Sequence, residues 1–206
     1  MAETPRVARA SLFEGLTFKV ADVGERARAI DLRRRVYAED VGHVEMDDLD
    51  ERAHHLVCHD DSGEVIAALR VVLFDDRPFD IEHFVALDGL IPSDRFPAEI
   101  GRYCVRNDHR RVTRNHFVQL GMLKLAYAFA RKRGATDFLM YTFGHLLDFY
   151  RGAFFQLLDV AFEHPGYSQQ MYVMRLDLVD FENRYSQSQQ PVARLLFKTN
   201  FPNIIV

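Results

Sequence analysis

Apolar and polar residues alternate from Leu16 to Val23, with Leu16, Phe18 and Val20 on one side, and this period of two predicts a strand. The pattern then changes. Between Gly24 and Ala38, Ala27, Ile30, Val36 and Tyr37 stand among many arginines at helical spacing. Glu45–Glu51 is too charged for a core and reads as an ordered loop or short turn. Two more strands, His55–His59 and Val65–Phe74, flank Asp60-Asp61-Ser62-Gly63, a hairpin signal with glycine in the turn. Pro78–Ile91 is irregular, with a short helix expected around Ile81–Leu87.

Glu99–Arg106 reads as the next strand, and Phe117–Lys132 as the clearest helix. Its stripe is Leu120, Leu123, Tyr127 and Ala130, and Gly134 ends it. A strand over Thr136–Tyr141 and a helix over Leu146–Phe155 follow, then short strands near Leu158–Phe162 and Met171–Leu178 around a Pro165-Gly166 turn. The order β-α-β-β-β-α-β-α-β-β predicts an α/β or α+β sheet without regular parallel alternation. Ser186–Pro191 looks like a linker, and the last fifteen residues are apolar enough to dock on something. We therefore expect one domain over 1–183 and an extension over 184–206 that packs on the domain or on a partner.

Composition narrows the function. The chain has 206 residues, 48% hydrophobic and 27% charged, the profile of a folded globular protein. A net charge of −4 disfavours nucleic acid as a partner. The two cysteines, Cys58 and Cys104, form neither a disulfide framework nor a zinc-binding pair. His54, His55 and His59 cluster in sequence, but neighbours on a strand face opposite ways and no carboxylate spacing completes a metal site, so no metal is expected. Met-Ala-Glu-Thr-Pro-Arg begins no signal peptide, and no apolar run reaches transmembrane length; a cytoplasmic protein, monomer or homodimer, is the simplest expectation.

The chemistry concentrates in Glu99-Ile-Gly-Arg-Tyr-Cys-Val105 and the acidic Glu45-Met-Asp-Asp-Leu-Asp50 upstream. Glu99 and Arg102 are three apart, which places them on opposite faces of a regular strand, as two separate ion pairs. Cys104 invites the role of nucleophile, yet a strand cysteine is usually an inert small hydrophobe.

Four stretches carry a resemblance: Arg33-x-x-x-Tyr37, Glu45-x-Asp47-x-x-Asp50, Leu69-Arg70 with Phe84 after it, and Glu99-x-x-Arg102. Together with the element order, this set resembles the GNAT acyltransferase fold, in the branch of acyl-homoserine-lactone (autoinducer) synthases and N-acyl amino acid synthases. The resemblance implies a mixed, mostly antiparallel sheet flanked by helices, with a V-shaped cleft where the fourth strand splays from the fifth. It implies a bulge that lets Glu99 and Arg102 meet, Glu99 as proton acceptor, and Arg102 as a tether for the acidic loop. Thioester-polarising backbone donors would come from around Tyr103–Val105. Arg33, Tyr37, Glu45, Asp47, Asp50, Arg70 and Phe84 become candidates for shaping the acceptor site. For a long acyl chain, Phe143, Leu147 and Phe155 are the candidates for an apolar tunnel.

Two departures matter. The autoinducer synthases carry a tryptophan after the first-helix aromatic, in the pocket for S-adenosylmethionine; this chain has Gly42-His43 and no Trp. The Gly-rich loop that cradles the CoA diphosphate is replaced by Arg106-Asn-Asp-His-Arg-Arg-Val-Thr-Arg114. Arg106, Arg110, Arg111 and Arg114 suit acyl carrier protein, whose surface is acidic and whose phosphopantetheine has one phosphate. The leading expectation is an N-acyltransferase that moves a fatty acyl group from acyl carrier protein, or acyl-CoA, to an amino acid or similar amine, without a resident cofactor. An autoinducer synthase using S-adenosylmethionine and a non-catalytic acyl-binding module are the alternatives.

Overall fold

The computed structural model describes residues 13–42, 48–110, 112–167, 169–198 and 200–206. Its centre is an eight-stranded sheet built from β1 (Leu16–Val20), β2 (His54–Asp60), β3 (Val65–Val72), β4 (Pro97–Val105), β5 (Asp137–Phe143), β6 (Gln156–Glu163), β7 (Gln170–Asp177) and β8 (Ile204–Ile205). The spatial order is β6-β7-β5-β4-β3-β2-β1-β8, antiparallel except for the β4–β5 and β1–β8 pairs. This is the mixed, mostly antiparallel sheet flanked by helices that the resemblance implied.

One face of the sheet is covered by α1 (Val23–Asp40), the short α2 (Leu49–Arg52) and the 73–96 connection; the other carries α3 (Val112–Lys132), α4 (Leu147–Gly152) and α5 (Leu178–Tyr185). A capping box starts α1: the Asp22 carboxylate accepts from the Glu25 amide, and Glu25 accepts from the Asp22 amide. Val23, read as the end of the first strand, begins this helix instead. The buried stripe of α1 is Glu25, Ala29, Leu32, Arg33 and Val36, whereas Ala27 is exposed. Of the expected apolar positions, Val36 lies on this stripe and Ile30 and Tyr37 are partly buried; an apolar reading misses Glu25 and Arg33 because two of the five buried positions are charged.

On α3, Val118, Met122, Leu125 and Phe129 repeat at helical spacing inside the main core, and Leu120 and Leu123 of the expected stripe are only partly buried. Gly121 lets this helix lie against β1: a Cβ there would sit 2.2 Å from the Phe18 ring. We expect Gly121→Ala to destabilise the protein by about 1–3 kcal/mol through overpacking, measured by denaturant unfolding.

The Ile81–Leu87 helix contracts to one 3-10 turn, Ile81–His83, and α4 stops at Gly152 ahead of Phe154, which holds φ +72°. The unforeseen α5 is capped by the Asp177 side chain, which accepts from the Asp180 amide. Beyond it, Pro191–Ala193 runs into a π-helical turn, Arg194–Lys198, that places Leu195 and Leu196 in the main core. Lys124 of α3, itself buried, donates to the Leu195 and Leu196 carbonyls at 2.7 and 2.9 Å. Among the described residues, no helix is long and apolar enough to cross a membrane.

Candidate active site

β4 pairs with β5 only over Pro97–Glu99, opposite Asp137–Leu139; beyond Glu99 the two strands diverge. On its other edge β4 pairs with β3, and there the register slips: Arg70 faces Gly101 while Ala68 faces Cys104. One extra residue of β4 therefore opposes Leu69, a β-bulge, and Arg102 takes φ +55° within it. That left-handed conformation costs about 1–3 kcal/mol in a non-glycine residue.

The bulge reverses the strand's alternation. Ala98 and Ile100 before it, and Tyr103 and Val105 after it, all pack toward the α3 side. Glu99 and Arg102 consequently share the opposite face, although a regular strand would separate them. There, Arg102 Nη2 bonds Asp80 Oδ2 at 2.5 Å, and Glu99 Oε2 accepts the Ile81 amide at 3.0 Å.

Asp80 is the centre of this face. Arg70 Nη2 reaches the same oxygen at 3.1 Å, and the Tyr141 hydroxyl donates to it at 2.7 Å. Arg70 Nη1 also bonds Asp50 Oδ1 at 3.3 Å, and Arg33 holds Asp50 with both terminal guanidinium nitrogens, Nη1 at 2.8 Å. His55 Nε2 lies 3.1 Å from the Asp50 carbonyl. Arg33, Asp50, Arg70, Asp80, Glu99 and Arg102 are all at least nine-tenths buried, a charge network that alternates in sign.

Burial is the largest influence on Glu99, followed by the negative charge of Asp80; Arg70, the Ile81 amide and Arg102 oppose them without cancelling. The carboxyl is pushed up to about 8. Burial lifts the Tyr37 and Tyr103 phenols above their ordinary range and pushes the Cys104 thiol up to about 12. Cys104 is thus a protonated thiol at neutral pH, packed in the cluster beneath α1.

A cavity of about 970 Å³ opens from this fork. Its polar end contains Tyr37, Arg70, Asp80, Glu99, Arg102 and Tyr141. Its long apolar arm runs between β5 and the helices α3 and α4, past Leu123, Ala126, Met140, Phe143, Phe149 and Phe155. The Tyr37 hydroxyl lies 3.4 Å from the Tyr103 carbonyl, which joins α1 to the bulge at the cavity edge.

Several sequence candidates fall elsewhere. Leu147 packs on the core, and its neighbour Leu146 lines the cavity in its place, because the 3-10 turn Gly144–Leu146 offsets the start of α4. The Val105 side chain is buried in the α3-side core, past the bulge that reversed its facing, so only its backbone amide stays a candidate. Phe84 stacks on Phe162 with centroids 4.6 Å apart and planes 5° from parallel, outside the cavity lining. Arg106 bonds Asp108 at 2.8 Å and reaches Asp60 at 3.4 Å; Arg110 bonds Asp40 at 2.9 Å and the Val105 carbonyl at 2.7 Å. Glu45, Asp47 and Arg111 lie outside the described residues, as does the side chain of Arg114. The neighbouring histidines part as the strand pleat requires: His54 packs 4.9 Å from the Phe129 ring, and His55 turns toward Asp50.

Asp80 and Tyr141 were not foreseen. The available signal was Phe79-Asp80-Ile81, a carboxylate between two large apolar residues that are both fully buried. A lone polar residue flanked that way in a loop has to find buried partners.

Residues 32–118 match the family model of the acetyltransferase (GNAT) domain. Comparison with curated protein sequences finds no match. Among solved structures, the fold is similar to FeeM, an N-acyl amino acid synthase from uncultured soil microbes, at TM-score 0.71 and 10% identity, over 82% of this chain and 94% of that one. It is also similar to the acyl-homoserine-lactone synthase LasI, at TM-score 0.63 and 12% identity over 89% and 94% of the two chains. A third is BjaI, a CoA-dependent acyl-homoserine lactone synthase, in its structure with SAM and isopentyl-CoA: TM-score 0.62, 15% identity, 93% of each chain. At these identities the structural likeness establishes the fold.

Proposed function

Taking the chain as a GNAT-fold acyltransferase, we propose that it transfers a fatty acyl group from a phosphopantetheine thioester to the amine of an amino acid or similar small acceptor. One observation carries the reading. A buried carboxyl shifted to about 8, Glu99, stands at the β4–β5 fork where a charged pocket meets a long apolar arm.

The chemistry follows from that juxtaposition. The acyl chain lies in the apolar arm, and the thioester carbonyl sits at the fork. Glu99, ionised, takes a proton from the acceptor's ammonium, directly or through water. The freed amine attacks the carbonyl carbon; the C–N bond forms as the C=O electron pair moves to oxygen. Backbone N–H groups of β4 beyond the paired segment, in the stretch Tyr103–Val105, stabilise that oxyanion. Collapse expels the thiolate as the C–S bond breaks; the proton held by Glu99 passes to sulfur, and the second proton of the attacking nitrogen is then lost through the freed Glu99 carboxylate to water, leaving a neutral amide.

Acyl carrier protein is our preferred donor, because the segment after β4 lacks a Gly-rich diphosphate cradle. Arg106 and Arg110 are each about a third exposed and already share their charge with Asp108, Asp60 and Asp40. Their attraction to an acidic partner is correspondingly reduced, so Arg111 and Arg114 would supply more of it. Expression in a bacterial host, followed by lipid extraction and mass spectrometry, tests the reading. An N-acyl amino acid absent from the Glu99→Ala strain supports it, and an acyl lactone would instead favour the autoinducer reaction. The absence of any new acylated product, together with no turnover of palmitoyl-CoA or palmitoyl-carrier protein by the purified protein, would leave only a binding module. In the same assay Leu123→Trp, which fills part of the arm from α3, is expected to shift the products to shorter chains.

A further inference from the structure

Three strands meet at one carboxylate oxygen. Asp80 Oδ2 receives Arg70 from β3, Arg102 from β4 and the Tyr141 hydroxyl from β5. The β4 and β5 donors lie on strands that have stopped pairing with each other, since the last shared register is Glu99 with Leu139. The residue after Asp80 contributes its amide to Glu99. Asp80 has no part in the proton transfer as written above.

We propose that Asp80 is a positioning residue for the acyl transfer: its carboxylate ties Arg102 to Tyr141 across the open fork and, through the Ile81 amide, fixes the carboxyl of Glu99. The inference rests on the reading of Glu99 as proton acceptor. Two functions follow from one placement. The tie sets how far the arms of the fork stand apart, and so where a thioester lies relative to Glu99. The negative charge next to Glu99 helps keep its carboxyl protonated until the pH is mildly alkaline.

The groups around Glu99 leave Asp80 as its nearby anion. Arg70 faces it from β3, Arg102 from β4, and Asp80 with the Ile81 amide from the loop. Behind Arg70 stand Asp50 and Arg33, and His55 is held toward its neutral form chiefly by burial. Tyr141, from β5, acts through Asp80 and lies with its ring 5.8 Å from the Arg102 guanidinium carbon.

The test uses the full chain with carbon-13 at the glutamate carboxyls, the Glu99 signal being assigned by its loss in Glu99→Gln. Asp80→Asn keeps an oxygen acceptor and removes the charge. In that variant the Glu99 titration midpoint should fall by about one pH unit, and the acidic limb of kcat/KM should move with it. Tyr141→Phe keeps the charge and cuts the β5 tie, so it should leave the midpoint near its wild-type position while lowering kcat about tenfold with little change in KM. Tyr141→Phe also serves if Asp80→Asn fails to fold. An unmoved midpoint in folded Asp80→Asn, or wild-type kcat in Tyr141→Phe, overturns the proposal alone. Full activity in Glu99→Gln overturns the base assignment, and this proposal with it, by a measurement that does not involve Asp80.

Discussion

Glu99→Gln is expected to lower kcat/KM by about 10²–10⁴-fold, the usual contribution of a positioned general base. Gln is close to isosteric and can still accept the Ile81 amide through its carbonyl oxygen, so the fork should keep its shape. The wild-type enzyme should gain activity as pH rises through about 8, where Glu99 ionises. The variant should lack that limb and follow the acceptor amine alone. A pH series of initial rates with saturating acyl donor separates the two cases. If the acidic limb persists unchanged in Glu99→Gln, Glu99 is not the group being read.

The same residue has a stability signature of definite sign. A free glutamate titrates near ~4.3 in the unfolded chain, whereas the folded protein holds the Glu99 proton up to about 8. Between those values the native state binds more protons, so Glu99 makes folding less favourable as pH rises through the window. Glu99→Gln removes this loss. Its melting temperature should therefore pull ahead of wild type from pH 5 upward and level off above about 8. A variant less active yet more stable at pH 8 is the pattern of a buried catalytic carboxyl, and an ordinary structural ion pair would give the reverse.

The second large effect is expected at Asp50. Its carboxylate is shared by Arg33 and Arg70, both buried to within 3% of full burial. Asp50→Ala strands the Arg33 guanidinium away from water, and the cost should be about 3–5 kcal/mol in denaturant unfolding. Replacing the pair together, Arg33→Met with Asp50→Leu, should recover most of that loss, because two apolar side chains avoid the desolvation penalty. Activity and stability should then part company. If Asp50 only supports the site, the double variant regains folding and part of its turnover; if Asp50 also orients the acceptor, turnover stays low in a stable protein.

Much of the architecture was legible in local pattern. Period-two alternation located β1, helical spacing located α1 and α3, and Asp-Asp-Ser-Gly marked the turn between β2 and β3. The charged residues of the site were visible as types out of place: Glu99, Arg102 and Arg70 sit in runs of apolar strand residues. What spacing alone did not supply was placement in three dimensions; the bulge and the splayed fork were implied by the resemblance, and the strand registers show both. Glu25 and Arg33 were missed on the α1 stripe because charged side chains are rarely buried, and their partners, Lys19 and His59 for Glu25 and Asp50 for Arg33, make that burial tolerable.

The sequence by itself determined the element order, the chemistry of the charged groups and the absence of tryptophan beside Tyr37. It left Glu99 and Arg102 on opposite faces of a strand, since spacing alone obeys the pleat. Tertiary structure brought them together through one bulged residue, held open by pairing on the β3 side and by lack of pairing on the β5 side. Asp80, from an irregular loop with no periodicity to betray it, became the centre of the network for the same reason. Which groups meet at the fork is fixed by contacts between distant segments, such as Asp80 with Tyr141, 61 residues apart, and no local propensity encodes those.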